Sequence, residues 1–178
     1  MPSDLTIFAA TYLVFIEALL AAAFLVPVLL PRPRTEWVRW AVLTGVMLVL
    51  AYVFAKIGGA VYSDPRPFVT DHIRPLIAHA PDNGFPSDHA LLAAALAAAV
   101  AFARPLLALP VAVVAILVDW ARVGAGLHHV ADVAGSALFV ALGAAVALAI
   151  APTIIRSLRP YLPDWLVRPP PAPGQGSA

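Results

Sequence analysis

The chain has no cysteine, so disulfides, thiolate metal sites and cysteine nucleophiles are excluded. Charge is scarce too. Asp, Glu, Lys and Arg make up 12% of 178 residues against 62% hydrophobic, a balance that rules out an ordinary soluble domain. The formal net charge is +1 and no basic stripe is present, which argues against nucleic acid as a partner. The amino end lacks the basic segment of a cleavable signal, because Met1-Pro2-Ser3-Asp4 runs straight into an apolar stretch; the expectation is a retained first helix. Lysine occurs once, as Lys56, inside an apolar run, and no internal repeat is visible.

Apolar runs are abundant, and they approach or exceed the ~20 residues that cross a ~30 Å hydrocarbon layer. They predict spans at Leu5–Leu30, Trp37–Tyr62, Asp88–Ala103, Leu106–Arg122 and Val130–Thr153. The expected fold is therefore all-α: a polytopic integral membrane bundle of about five helices. Pro31-Arg32-Pro33-Arg34 ends the first span, and Arg104-Pro105 makes a hairpin of the third and fourth. The third and fourth spans read as short. The division expected is a membrane domain over 1–160 and a cytoplasmic proline-rich tail over 161–178, disordered at its end from Pro169. Arg32, Arg34, Arg39, Arg104, Arg156, Arg159 and Arg168 fall on one side, which the positive-inside rule makes cytoplasmic. Trp37, Trp40, Tyr161 and Trp165 suit an interface there. The amino terminus and the polar segments 63–86 and 122–129 then lie outside, in a multi-pass cytoplasmic (inner) membrane protein.

Three short pieces carry most of the polar chemistry, and each sits at the end of an apolar run: Tyr62-Ser63-Asp64-Pro65-Arg66-Pro67-Phe68, Phe85-Pro86-Ser87-Asp88-His89, and Arg122 with His128 and Asp132. His128 and Asp132 are i, i+4, so on a helix they share a face. A carboxylate on one ring nitrogen fixes the tautomer and frees the other to attack; the plainer alternative is a pair that caps a helix end. Gly124 and Gly126 allow Arg122 to fold back toward them. Ser87 opens the third span, where a hydroxyl either caps the helix or donates to a bound oxygen, and the free N–H groups favour phosphate. His89 is placed to protonate a leaving oxygen, or else is merely solvated next to a Ser or Asp cap. Arg66, stiffened by two prolines, suits an anion clamp. Lys56, ten residues before it, binds phosphate or snorkels to the interface. Glu17 pairs with Lys56 or Arg122 or faces a water-filled cavity, Asp119 braces Arg122, and His129 faces solvent or headgroups. His72, Arg74 and His79 touch a diphosphate or only decorate the outer loop. The five histidines fit no strong metal-ligand spacing, so no metal is expected.

In order and wording these pieces resemble the three signature motifs of the type 2 phosphatidic acid phosphatase superfamily. The Pro-Arg-Pro-Phe and Phe-Pro-Ser-Asp-His forms look most like its bacitracin-resistance branch of undecaprenyl diphosphatases. The resemblance covers about Lys56 to Asp132. It implies His128 as nucleophile, Asp132 as its orienting partner, His89 as acid and base, and Arg66, Arg122 and Ser87 on the phosphoryl oxygens, without metal or other cofactor. It implies a phosphohistidine intermediate, a polyprenyl diphosphate substrate and recycling of the cell-wall lipid carrier, with bacitracin resistance as a consequence. Phosphatidic acid, phosphatidylglycerol phosphate, lipid A or a polyprenyl phosphosugar are rival substrates, and a small transporter is a rival class. The chain departs from the family pattern in several places. The family's usual lysine, seven residues before the arginine, is missing, Lys56 standing ten before Arg66, and Ala121 stands where serine is usual. Asp88 replaces a common glycine in the branch's manner, and five spans are counted where better-known relatives have six. Neither oligomeric state nor the route of the prenyl tail is legible.

Overall fold

The computed structural model describes residues 2–167; Arg168 and the proline-rich end lie outside them. In chain order the helices are α1 (Pro2–Leu29), α2 (Arg34–Val61), α3 (Pro67–Thr70), α4 (Asp88–Ala103), α5 (Pro105–Gly124), α6 (Val130–Leu158) and α7 (Asp164–Val167). A 3-10 turn at Arg159–Tyr161 links the last two. Four stretches are long and apolar enough to cross a bilayer: Ser3–Leu29, Arg34–Val61, Pro105–Gly124 and Val130–Tyr161. Helix α4 is apolar but has only 16 residues, about 24 Å at ~1.5 Å per residue. The molecule is an all-α polytopic membrane bundle.

Span ends differ from expectation: α1 and α2 each start three residues earlier and end one earlier, and α5 and α6 are longer. Helix α5 reaches 20 residues, because Pro105 sits in its first turn, where a missing N–H costs nothing, and the helix continues past Arg122. Only α4 is short. Helix α6 runs on through Pro152 to Leu158, since a proline inside a membrane helix can be accommodated by its neighbours.

Helix α4 is the central post. One face joins Leu43, Met47 and Ala51 of α2 to Val140, Ala147 and Ala151 of α6 through Ala95. The other packs Ala93 on Val14, Ala115 and Val118, and Val100 on Ala21, Ala108 and Val111, engaging α1 and α5. Small side chains dominate, because between membrane helices close packing, not water exclusion, supplies the attraction. Gly143 lets α6 meet the backbone of α2: a Cβ there would lie 2.9 Å from Met47 O and 3.1 Å from Ala51 N. Large apolar residues such as Leu19, Val61 and Leu106 point outward, toward lipid.

The bundle has two polar ends. At one, Arg104 closes α4 and opens α5 as a single-residue hinge. There Trp37 Nε1–H donates to Leu29 O at 2.7 Å and Trp40 Nε1–H to Ala99 O at 2.9 Å, so both indoles also satisfy backbone carbonyls. Arg34 stands over the Trp165 ring at 5.0 Å, and α7 rests on α2. The other end gathers the start of α1, the end of α2, the 62–87 connection, the start of α4 and the α5–α6 turn.

Candidate active site

Asparagine 83 assembles that second end. Its Oδ1 accepts from Asp64 N–H at 2.9 Å and Phe85 N–H at 3.0 Å, while its Nδ2 donates to Gly59 O at 3.0 Å and Tyr62 O at 3.2 Å. One amide thus satisfies carbonyls at the end of α2 and pins the first motif to the second. Gly84 N–H donates to Asp64 O at 2.8 Å, extending the same junction. Below it the Phe85 ring meets Tyr62 and Phe139 edge-on, with centroids 4.9 and 5.8 Å away.

His128 lies at the centre and is 3% exposed. Its Nδ1 is 3.0 Å from Gly84 O and 3.3 Å from Asp132 Oδ2. Its Nε2 is 3.2 Å from Arg66 Nη1 and 3.4 Å from Arg122 Nη2. A carbonyl only accepts and a guanidinium only donates. The imidazole is therefore neutral with its proton on Nδ1, and its Nε2 lone pair faces two cations. Burial first, then the two guanidiniums, hold this imidazole below its ordinary pKa, against the pull of Asp132. The sequence pattern assigns the tautomer to Asp132 alone, but the nearer acceptor is the Gly84 carbonyl.

Both arginines are buried and tied down. Arg66 Nη1–H donates to Leu127 O at 2.9 Å and its Nε–H to Asp82 at 2.6 Å. Arg122 Nη1–H donates to Ala10 O at 3.2 Å, which couples the site to α1. Asp132 sits fully buried in the first turn of α6, where Oδ2 also accepts from His129 N–H at 2.9 Å. Ser87 caps α4, accepting from Ala90 N–H at 3.5 Å, and its own carbonyl lies 2.8 Å from the Ser136 hydroxyl. Ser136 also reaches Asp132 O at 2.9 Å, so it joins the start of α6 to that of α4.

His89, half-buried on the first turn of α4, lies within electrostatic reach of Arg122 and His128. Asp88 is exposed beside it and acts electrostatically on Arg122. Arg66, Ser87, Asp88, His89, Arg122, His128 and Asp132 thus share one end of the bundle.

Other candidates do not join them. Lys56 is exposed on the outer face of α2, with Nζ 5.2 Å from the Tyr52 ring centroid. Its neighbours Ala55 and Gly58 take the buried face, and the long side chain stays at the lipid boundary. Glu17 pairs with neither Lys56 nor Arg122: it is fully buried and both carboxyl oxygens lack a hydrogen-bond partner. Asp119 Oδ1 is likewise unpartnered and does not brace Arg122; it lies within electrostatic reach of Glu17 across α1 and α5.

His129 is not turned to solvent. Its Nδ1 is 3.1 Å from Asp64 and its Nε2 3.6 Å from Asp71. Burial and the neighbouring Asp132 push the Asp64 carboxyl up, while His129 pulls it down. Asp64, His129 and Asp132 each bring one possible ligand atom within 4.8 Å of the others. They are already knit together by these contacts, and three donors fall short of a closed four-ligand site. His72 and Arg74 are exposed on the connecting loop, and His79 lies 3.9 Å from Asp82.

Asp82, Asn83, Gly84 and Ser136 escaped the motif reading. Asn83-Gly84, a strong turn dipeptide directly before Phe85-Pro86, was the available signal; Ser136, 49 residues from its partner Ser87, offered none.

This fold and site define a helical membrane protein with a buried histidine set between two arginines at one end. Residues 40–156 match the PAP2 superfamily, and the chain belongs to it. It is similar to Undecaprenyl-diphosphatase BcrC of Bacillus subtilis (strain 168), 37% identical over 100 residues, which is 56% of this chain and 50% of that protein. It is also similar to Bacitracin transport permease protein BcrC of Bacillus licheniformis, 32% identical over 123 residues, 68% of this chain and 61% of that one. The chain thus spans half to three-fifths of the length of these curated relatives. No solved structure matches it.

Proposed function

We propose that the protein is an integral membrane lipid phosphatase that hydrolyses undecaprenyl or a related polyprenyl diphosphate to the monophosphate and phosphate. One observation carries this reading: the lone pair of His128 Nε2 is flanked by Arg66 Nη1 and Arg122 Nη2 at 3.2 and 3.4 Å. Guanidinium hydrogens converging on a nucleophilic nitrogen mark where phosphoryl oxygens sit when phosphorus is in line with it.

In the first step Nε2 attacks the terminal phosphorus, an N–P bond forms and the P–O bond to the lipid monophosphate breaks. His89 gives the departing oxygen its proton. The imidazolium so formed keeps its Nδ1–H on Gly84 O and Asp132, whose charge steadies it. In the second step His89 takes a proton from water, the hydroxide attacks phosphorus, and the N–P bond breaks to return neutral His128. Arg66 and Arg122 hold the oxygens in both steps; Ser87 serves chiefly by capping α4 beneath them.

The arginines at the opposite end support an outward-facing site in the cytoplasmic membrane, where spent lipid carrier is released. Such an activity recycles the carrier for cell-wall glycans and gives resistance to bacitracin. One relative bears the name of a transport permease, but a transport path needs polar groups spread across the bilayer. Here His128 and the arginines and carboxylate bonded to it gather at one end, which favours the enzyme.

Purified protein in detergent should release phosphate faster from a polyprenyl diphosphate than from phosphatidic acid, phosphatidylglycerol phosphate or lipid A. Equal rates on all four would reject the substrate.

Gly84→Ala tests the backbone support of the nucleophile. The new Cβ would lie 2.9 Å from Asp132 Oδ2 and 3.1 Å from Asp64 O. Neither neighbour is free to retreat, so the Gly84 carbonyl must shift from Nδ1. A misplacement of this kind costs on the order of 100-fold in turnover. Unaltered phosphate release in a folded variant would remove the carbonyl from its role.

A further inference from the structure

Arg66 offers five N–H groups, and its surroundings engage them unevenly. Nη1 is divided between Leu127 O at 2.9 Å and His128 Nε2 at 3.2 Å. Nε–H goes to Asp82 Oδ1 at 2.6 Å, the shortest polar contact made by this side chain. The two partners differ sharply in setting: the Asp82 side chain is 57% exposed on the rim, that of Arg66 only 7%. A buried guanidinium is therefore held from behind by a carboxylate that stays in contact with solvent.

A guanidinium has two edges able to grip an oxyanion with two parallel bonds, Nε with Nη2 and Nη1 with Nη2. Asp82 occupies Nε, so the first edge already carries a carboxylate. The second edge is the one that touches His128 Nε2. Charge adds a second reason for an acid here. Arg66 and Arg122 both converge on that nitrogen, and a negative charge behind one of them offsets their repulsion before substrate arrives. A backbone carbonyl such as Leu127 O could orient the fork but could not supply that charge.

We propose that Asp82 is a positioning residue for phosphate binding: it holds Arg66 by Nε so that the Nη edge meets the terminal phosphoryl group beside His128. The assignment rests on the phosphatase reading. No chemistry passes through Asp82, and it is absent from the three motifs. Its carboxyl is kept below the usual range by the Arg66 guanidinium, so it is charged wherever the lipid diphosphate is. Among the described residues its other titratable neighbour is His79, with Nδ1 3.9 Å away.

The test is titration of the detergent-purified full chain with inorganic phosphate by calorimetry, which needs no turnover. Asp82→Ala should weaken phosphate binding about tenfold. Asp82→Asn, whose Oδ1 accepts the same Nε–H but brings no charge, should recover part of it, which a fold defect in the alanine variant would not predict. His79→Ala should leave affinity unchanged, while Arg66→Ala should weaken it more than either Asp82 variant. Phosphate bound as tightly or more tightly by Asp82→Ala overturns the proposal, the latter because Asp82 would then be a competitor. An equal loss in His79→Ala overturns it by assigning the effect to rim charge in general. Wild-type protein that binds phosphate no better than Arg66→Ala overturns it as well. Wild-type protein that binds phosphate yet releases none from any lipid diphosphate rejects the phosphatase reading, and the comparison of variants still decides the role of Asp82.

Discussion

His128→Ala is expected to lower phosphate release from polyprenyl diphosphate by on the order of 10⁴-fold or more, because it removes the nitrogen poised against both guanidiniums. The remaining site still holds Arg66 and Arg122, so phosphate binding should persist while turnover vanishes. That split separates loss of a nucleophile from loss of a binding site. The cost to the fold should be modest. Gly84 O and Asp132 lose a donor, which costs roughly 1–3 kcal/mol for a buried polar group left unpaired. Detergent-purified variant should therefore remain monodisperse and unfold cooperatively, and both can be measured beside turnover. Release within tenfold of wild type would exclude His128 as nucleophile and with it the two-step mechanism.

His89→Ala should reduce turnover by about 10²–10⁴-fold, the usual range for a positioned acid or base. The two steps should not suffer equally. A lipid monophosphate departs as a stabilised anion and needs little proton assistance, whereas water must be deprotonated to attack a phosphohistidine. The second step should therefore become limiting, and protein labelled from terminally labelled substrate should accumulate an acid-labile, base-stable phosphoryl group. In the double variant with His128→Ala the label should be absent. Wild-type turnover in His89→Ala would show that solvent or another group performs the proton transfers. Label surviving in the double variant would place the phosphoryl group elsewhere.

The spans and the three polar pieces were legible because membrane helices advertise themselves by uninterrupted apolar length, and prolines and capping residues punctuate them. The third span was read to the residue, Asp88–Ala103, since Ser87 caps one end and Arg104-Pro105 closes the other. Ends governed by proline were harder. Pro105 extended α5 and Pro152 failed to stop α6, because each depends on what surrounds the missing N–H. Lys56 and Glu17 illustrate a second limit. Glu17 lies on the buried stripe of α1 with Ala10, Val14 and Ala21, but a helix apolar on every side does not reveal which stripe is buried. Lys56 fitted two readings, and the rotation of α2 against α6 turned it toward lipid.

By itself the sequence determined an all-helical membrane protein, the gathering of its polar chemistry at helix ends, and His128 with Asp132 as its pair, since these follow from spacing along one chain. Only the tertiary structure decided which imidazole nitrogen carries the lone pair. That choice belongs to Gly84 O, 44 residues away, and to Arg66, 62 residues away. The physical reason is that a tautomer answers to whatever donors and acceptors surround the ring, and in this protein two of the four, Arg66 and Gly84 O, come from a loop whose approach no local pattern encodes.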